Sequence, residues 1–421
     1  MVSKLEGVRT TMSTAAAGNT QDFTVSGFGT PKAVVIMVSK ATADATATNE
    51  GMLSVGFCDG TNTRCWAATN QNVGIGNTNN KVRGETGEIV YIHDTIGTGV
   101  SGRASFNSFI TDGVRITIDT QFVAAYKVGV LLIGGADTLA AVGSIAGPSI
   151  PGGTASVTGL AFAPELLFLI GNKTFNNTNV DAGYVILGAA ISRPSLTNRG
   201  IGWGSPDNLA TSTCVIAVDA FVSYGGGAAD IRDPRTSVTS FNSDGFTVTE
   251  GAGNNAGSPQ AYLALRLPNL PLYLDYITTP TATGNASFTG PGFSPQAIML
   301  FTTMADATGA SQTDARAGAC GIGFVAGATP IQHGQSTSQQ DAVTTQVCKS
   351  ATDAAAAEEL GNAGTILIRA AWNAWLSNGV QLNFTITDAT ARKWVMLAIG
   401  RNTSLALPRT PSPSMRATMM R

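Results

Sequence analysis

Histidine is the residue type that most limits the chemistry of this chain, because the sequence contains only two, His93 and His333. A catalytic zinc site or a Ser-His-Asp triad needs histidines that are held in place by partners. Asp94 follows His93 directly, but consecutive residues of a strand point to opposite faces. His333 lies in the polar sequence Gln-His-Gly-Gln. Both are predicted to be surface or hydrogen-bonded histidines without a catalytic role.

Glycine-rich strings and acidic residues do not define a site either. Gly74-Ile75-Gly76 and Gly321-Ile322-Gly323 lack the third glycine and the following helix of a dinucleotide-binding loop. The carboxylates are scattered and do not form the pair that glycoside hydrolysis requires. The segment 59–63 offers oxygen donors for calcium, but fewer than an EF-hand loop has, and it is predicted to be a turn. The sequence therefore predicts no enzyme, no metal and no cofactor.

Tryptophan is the residue type that could bind a sugar, because aromatic rings on a β-sandwich surface stack on glycans. Trp375 and Trp394 match core positions of an internal repeat described below. Trp66 and Trp203 have loop-like surroundings and are predicted to be exposed. They are the candidate contacts for a glycan or a partner protein.

Composition restricts the classes of partner. Charged residues make up 12% of the chain and the formal net charge is −2, so no attraction to nucleic acid or to a membrane surface is expected. No segment approaches the ~20 apolar residues of a membrane-spanning helix, and the polar start predicts no secretion signal. The five cysteines have no framework spacing and are predicted to be reduced.

The C-terminal residues are the local exception to this low charge. After Asp388 the chain carries only basic charged residues: Arg392, Lys393, Arg401, Arg409, Arg416 and Arg421. The segment is either a solvated tail or an arm that docks on an acidic neighbour. In the second case Arg409, Arg416 and Arg421 would form the assembly contacts.

An internal repeat with a period of about 132 residues organises the whole chain. An aromatic residue and a proline precede an apolar run in each copy: Phe28 and Pro31, Phe162 and Pro164, Phe293 and Pro295. A turn pair follows at a common offset: Asp112-Gly113, Asp244-Gly245 and Asn378-Gly379. Short β-branched and aromatic segments between turn residues are typical of all-β domains. The sequence predicts three tandem β-sandwich domains of jelly-roll type, each with roughly eight strands.

The predicted domain limits follow from the repeat and from the Pro- and Gly-rich stretches between its copies. They are an N-terminal arm at 1–20, sandwich repeats at 21–135, 154–268 and 285–400, linkers at 136–153 and 269–284, and a Pro- and Arg-containing C-terminal arm at 401–421. The alanine-rich segment 351–360, with Ser350 as N-cap and Gly361 after it, predicts one helix inside the third repeat.

The chain resembles bacteriophage virion proteins, namely minor tail, tail-fibre, baseplate and head-decoration proteins. The resemblance rests on the low charge, the strands rich in Gly, Ala, Thr and Asn, the polar N-terminal arm and the tandem all-β units. It implies a structural role in a virion that is assembled in the host cytoplasm, in contact with other virion proteins and with copies of itself. A tail or baseplate position is favoured. A fibre module that binds a host receptor or glycan and a capsid decoration protein are the alternatives.

Overall fold

A computed structural model describes residues 3–70, 80–94, 99–171, 177–181, 183–205, 212–219, 222–223, 235–251, 259–309, 312–314, 319–338, 348–361 and 364–401. The described residues form β-strands, turns and loops without an α-helix, so the predicted all-β class is confirmed. Within these ranges no helix has the length and apolar content needed to cross a membrane.

The strands fall into three consecutive sets. The first set consists of β1 (Lys4–Thr11), β2 (Thr20–Thr24), β3 (Pro31–Val38), β4 (Thr48–Asn49), β5 (Gly51–Cys58), β6 (Thr63–Asn70), β7 (Asn80–Glu85), β8 (Glu88–His93), β9 (Val100–Ile110), β10 (Gly113–Thr120) and β11 (Lys127–Gly134). The second set consists of β12 (Leu139–Ala146), β13 (Thr154–Val157), β14 (Leu166–Gly171), β15 (Val180–Asp181), β16 (Gly183–Ile191), β17 (Thr197–Ser205), β18 (Ser212–Val218), β19 (Val222–Ser223), β20 (Arg235–Asn242), β21 (Gly245–Glu250) and β22 (Pro259–Arg266). The third set consists of β23 (Leu272–Thr278), β24 (Gly284–Phe288), β25 (Pro295–Thr303), β26 (Gln312–Asp314), β27 (Ala319–Ala326), β28 (Ile331–Ser338), β29 (Cys348–Thr352), β30 (Ala357–Leu360), β31 (Ile366–Leu376), β32 (Gly379–Ile386) and β33 (Lys393–Gly400).

Each set builds one large and one small antiparallel sheet, and the strand orders correspond. The large sheets run β1-β11-β3-β5-β6-β7-β15, β12-β22-β14-β16-β17-β18-β26 and β23-β33-β25-β27-β28-β29-β4. The small sheets run β2-β10-β9-β8, β13-β21-β20-β19 and β24-β32-β31-β30. We call the large and small sheets of one set a sheet pair and number the pairs one to three. A hydrophobic core lies between the two sheets of each pair, as in a β-sandwich.

The three large sheets also share a fourth, central core on their other faces. In β3 the side chains alternate between the two cores. Ala33, Val35 and Met37 belong to the central core, whereas Val34 and Ile36 belong to the core of the first pair. Because both faces of a large sheet are buried, its strands read as continuous apolar runs rather than as an apolar-polar alternation.

Several segments predicted to lie outside the sandwiches are strands of the large sheets. β1 lies in the predicted N-terminal arm, and β12 and β23 lie in the predicted linkers. Each pairs along its whole length with the last strand of its set, which buries alternate side chains. A free arm at 4–11 and free linkers at 139–146 and 272–278 are therefore wrong, because these segments complete the sheets.

The predicted helix at 351–360 is also wrong. Residues 348–352 form β29, which pairs with β28, and residues 357–360 form β30, which pairs with β31. Ala351 and Ala357 are buried against the surrounding sheets. Alanine has the highest helix propensity, but tertiary packing overrides a propensity of a few tenths of a kcal/mol per residue.

The hairpin turns of the small sheets lie at residues 111–112, 243–244 and 377–378, one residue before the predicted pairs, so the glycine of each pair begins the next strand and meets a neighbouring strand. A Cβ atom added at Gly113 would lie 2.0 Å from the carbonyl oxygen of Phe23 in β2. The same atom at Gly245 would lie 1.8 Å from the Val157 oxygen, and at Gly379 2.0 Å from the Phe288 oxygen. Only glycine lets the backbones of these strands approach so closely.

We expect Gly113→Ala to lower the free energy of unfolding by about 1–3 kcal/mol, because the methyl group overlaps a backbone oxygen that cannot rotate away. Gly87→Ala is the matched control, since nothing lies within 4 Å of a Cβ atom there. Urea unfolding of both variants would measure the difference. Equal stability of the two variants would contradict the close approach.

Candidate functional site

Neighbouring sheet pairs contact each other by strand pairing at one edge of each large sheet. The last strand of each large sheet is a short strand donated by a different set: β15 pairs with β7, β26 with β18, and β4 with β29. The second pair thus completes the first, the third completes the second, and the first completes the third. The three exchanges form a closed cycle.

The junction between the first and third pairs differs from the other two because no chain segment links these pairs directly. Residues 135–138 lead from β11 to β12, and residues 267–271 lead from β22 to β23. The first–third junction is therefore closed by non-covalent contacts alone. It is the candidate functional site of the described structure.

Asp353 is the centre of the charged contacts at this junction. Lys127 Nζ of the first pair lies 2.6 Å from Asp353 Oδ2, and His333 Nδ1 lies 2.8 Å from Asp353 Oδ1. Burial alone would raise the pKa of Asp353, but the hydrogen bonds from His333 and Lys127 outweigh it and lower that pKa to about 2. The Arg9 guanidinium also donates to the Asp353 carbonyl oxygen.

Gln335 extends this network into the first pair. Its Nε2 lies 2.7 Å from His333 Nε2 and donates to the Lys127 carbonyl oxygen at 3.0 Å. Its Oε1 accepts from the Ser39 amide at 3.0 Å. These partners fit a His333 ring that donates through Nδ1 to Asp353 and accepts at Nε2 from Gln335. His333 is fully buried, and its Nε2 faces the side-chain amide of Gln335 and not a hydroxyl or a thiol.

A loop of the first pair covers the edge of β29 at the same junction. We call residues 40–50 the clasp. The clasp contains β4, whose Thr48 and Asn49 pair with Lys349 and Cys348. The Ala45 amide donates to the Ala351 carbonyl oxygen at 2.7 Å.

The other two junctions use different side chains. Between the first and second pairs, the Thr86 amide donates to Asn177 Oδ1 at 3.0 Å, and the Val142 amide donates to Asp59 Oδ2 at 2.7 Å. Between the second and third pairs, Arg199 Nε lies 3.0 Å from Asp275 Oδ1. Asp59 is thus a turn residue, as predicted, and also a contact to β12.

The cysteine thiols are buried and free, in agreement with the predicted reduced state. Burial raises the pKa of Cys65 and Cys214 to about 12 and that of Cys58 to about 11. Burial also lowers the pKa of His93 to about 3. Thiols that stay protonated are poor nucleophiles. Cys58 and Cys65 belong to the core of the first pair, and Cys214 and Cys320 belong to the central core. In the described ranges no cluster of three or more His, Cys, Asp or Glu side chains is placed to hold a metal ion.

The predicted glycan contacts Trp66 and Trp203 lie in the central core. Their exposed fractions are 0% and 1%, so the expectation that they are exposed is wrong. Trp66 belongs to β6 and Trp203 to β17, and both are packed against the other large sheets. The flanking Gly, Asn and Thr residues are typical of loops, but here they occupy strands whose two faces are both buried. The predicted assembly residues Arg409, Arg416 and Arg421 lie outside the described residues.

Sequence reasoning missed Lys127, Asp353, Gln335 and Lys349 as junction residues. The isolated charged residues among them were a signal. Charged side chains are only 12% of the chain, and a charge inside an apolar or alanine-rich segment usually has a partner. The partners themselves come from strands more than 200 residues away, which no local pattern indicates.

Comparison of the chain with known proteins gives a weak structural likeness. No protein-family model matches the sequence, and no curated protein matches it. Among solved structures, the crystal structure of the STIV major capsid protein matches with a TM-score of 0.19 and 10% sequence identity. The match covers 64% of this chain and 98% of that chain. A likeness at this TM-score carries no argument about function.

We expect Asp353→Asn to lower the free energy of unfolding at pH 7 by about 2 kcal/mol, as the shift of its pKa from 3.8 implies. A depressed pKa means that this contribution is present above about pH 4 and is lost as the pH falls towards 2. The stability difference between wild type and variant should therefore shrink over that interval. Thermal unfolding at several pH values would measure it.

Asp137→Asn is the control for this experiment, because Asp137 is exposed and its removal disturbs no described ion pair. A difference between wild type and Asp353→Asn that stays constant from pH 7 to pH 2 would contradict the role given to the carboxylate.

Proposed function

We propose that this protein is a structural component of a virion that assembles with neighbouring subunits, and more specifically a tail- or baseplate-associated protein of a bacteriophage. The observation that carries the proposal is the closed cycle of strand exchange, which builds three sheet pairs of one strand order around a common core. Such a body has three corresponding outer surfaces to offer to neighbours.

The arrangement suits a threefold or sixfold assembly. We propose that the three sheet pairs arose from a tandem repeat of about 132 residues and that they present corresponding surfaces about an approximate threefold axis. Most protein assemblies are symmetric, and a subunit with internal threefold character fits a neighbour with threefold or sixfold symmetry. A ring in a tail or baseplate has that symmetry, and so does a local threefold position on a capsid.

The outer faces of the second and third small sheets carry rows of uncharged polar side chains, which suit contacts with protein. In the second pair, Ser156 Oγ lies 2.9 Å from Thr247 Oγ1, and Thr239 Oγ1 lies 3.0 Å from Thr249 Oγ1. In the third pair, Gln381 Nε2 donates to Ser287 Oγ at 3.1 Å. These rows are polar and uncharged, so they have no electrostatic preference for nucleic acid or anionic lipid.

The structure gives less support to a glycan-binding fibre module or to an enzyme. A glycan-binding fibre module was based on exposed Trp66 and Trp203, and both are buried. Enzymatic activity is no part of the proposal, since the His333–Asp353 pair faces Gln335 and the thiols are buried.

Purified particles of the phage that encodes this chain would test the proposal. We expect mass spectrometry to find the chain in particles banded on a density gradient, and antibody labelling in electron micrographs to place it on the tail. Tails separated from heads provide the control. Labelling of heads alone would contradict the tail assignment, and absence from washed particles would contradict a virion role altogether.

A further inference from the structure

We propose that the clasp of one copy leaves its own β29 and pairs with β29 of a second copy, so that two copies exchange clasps reciprocally. This names a second copy of the chain as one partner in the structural role proposed above, and in that sense it rests on that role. The proposal uses an interface that the structure already contains, because the β4–β29 pairing would be the same within one chain and between two.

Of the three strand exchanges in the cycle, the β4–β29 pairing made by the clasp is the one that opens most readily. Neighbouring pairs joined by residues 135–138 or 267–271 stay close even when their strand exchange is broken. The first–third junction has no such link, and its closure joins residues about 300 positions apart in the chain, as between Lys349 and Asn49.

The clasp is held by polar and backbone contacts without hydrophobic anchoring. Of residues 40–50 only Ala41 is buried. Lys349 Nζ donates to the carbonyl oxygens of Asn49 and Glu50, and Arg369 Nη2 donates to the Ala45 carbonyl oxygen at 3.0 Å. Segments with few buried apolar contacts open with a small free energy while the rest of the protein stays folded.

Backbone strain at two positions favours release of the clasp. Ala45 has φ = 53° and Glu50 has φ = 71°, which is the left-handed region that residues with a Cβ atom rarely adopt. Both residues lie where the clasp turns onto and away from β29. An extended, released clasp has no need of either conformation.

The remaining junction contacts survive release of the clasp. Lys127 and His333 still hold Asp353, and Gln335 still bonds to Ser39. The central core is likewise unchanged, since no residue of the clasp belongs to it. What release exposes is one edge of β29, with its amide and carbonyl groups and the Lys349 ammonium unpaired, and such an edge pairs with another strand of suitable sequence.

The length of the clasp permits the exchange between two copies that face each other. Asn49 lies two residues before the first residue of β5 and therefore reaches about 7 Å from that strand, so the first–third junctions of the two copies must lie within that distance. Two copies related by a twofold axis at their first–third junctions would each place a clasp on the other. Within one chain the effective concentration of the clasp is roughly millimolar, so exchange requires crowding of the kind that a growing assembly provides.

The register of β4 offers a direct test, because Asn49 lies opposite the native thiol of Cys348. Directly opposed residues of antiparallel strands have Cα atoms about 4.5–5.5 Å apart, which suits a disulfide. The full-length Asn49→Cys variant would be prepared in two batches, one labelled with ¹⁴N and one with ¹⁵N. The batches would be mixed under reducing conditions, incubated at low or at high protein concentration, and then oxidised. Mass spectrometry would identify the peptide that links position 49 to Cys348.

In dilute samples we expect the disulfide to link two peptides of the same isotope label, because positions 49 and 348 then belong to one chain. In concentrated samples we expect the mixed-label peptide to rise towards about half of the linked peptide, the limit for random reciprocal exchange. Thr48→Cys is the matched control, because position 48 lies opposite Lys349 and random collisions would cross-link it as readily. If the two linked peptides carry the same isotope label at every protein concentration, the proposal is overturned.

Hydrogen exchange of the wild-type protein gives a second measurement if Asn49→Cys does not fold. We expect the Ala45 and Asn49 amides to exchange faster than those of β3 and β5 on either side, and protection equal to these strands would also overturn the proposal. Exchange in isolated protein does not depend on virions. The clasp and the proposed virion role can therefore fail separately.

Discussion

Burial of both faces of the three large sheets is the constraint on which the rest of the structure depends. One face of each large sheet packs on its small sheet, and the other packs in the central core. Phe57 of the first pair and Phe168 of the second meet there with ring centroids 6.3 Å apart. A large sheet separated from the others would expose a whole apolar face to water, at about 25 cal/mol per Å². No pair is therefore complete without its neighbours.

The same constraint explains where the few charges are found. A chain with 12% charged residues places several of them where sheet pairs meet, as with Lys127 and Asp353 or Arg199 and Asp275. The apolar core supplies most of the free energy that holds the pairs together, but it is non-directional. Hydrogen bonds and ion pairs require defined geometry, so they fix how one pair is positioned on the next.

The all-β class and the hairpin turns could be predicted from the sequence because their causes are local. Asp-Gly and Asn-Gly pairs favour a hairpin turn, and a two-residue turn is found there, but one residue earlier than the pair: Thr111 and Asp112 form it, and Gly113 begins β10. Burial of Trp66 could not be predicted, since it depends on a second sheet packing on a strand with polar ends, Thr63 and Asn70. The strand exchanges could not be predicted either. A strand of two residues such as Thr48–Asn49 has no periodicity, and its partner lies in another third of the chain.

The cyclic strand exchange also determines the order in which the large sheets can be completed during translation. The first large sheet emerges from the ribosome long before β15 is available to complete it, and the second must wait for β26. The third sheet finds its last strand already made, in the oldest part of the chain. Contacts this distant in sequence carry a large loop-closure cost and form slowly. The nascent protein thus has an unfinished sheet edge exposed throughout translation, and only after the final third is synthesised does every large sheet have its seventh strand.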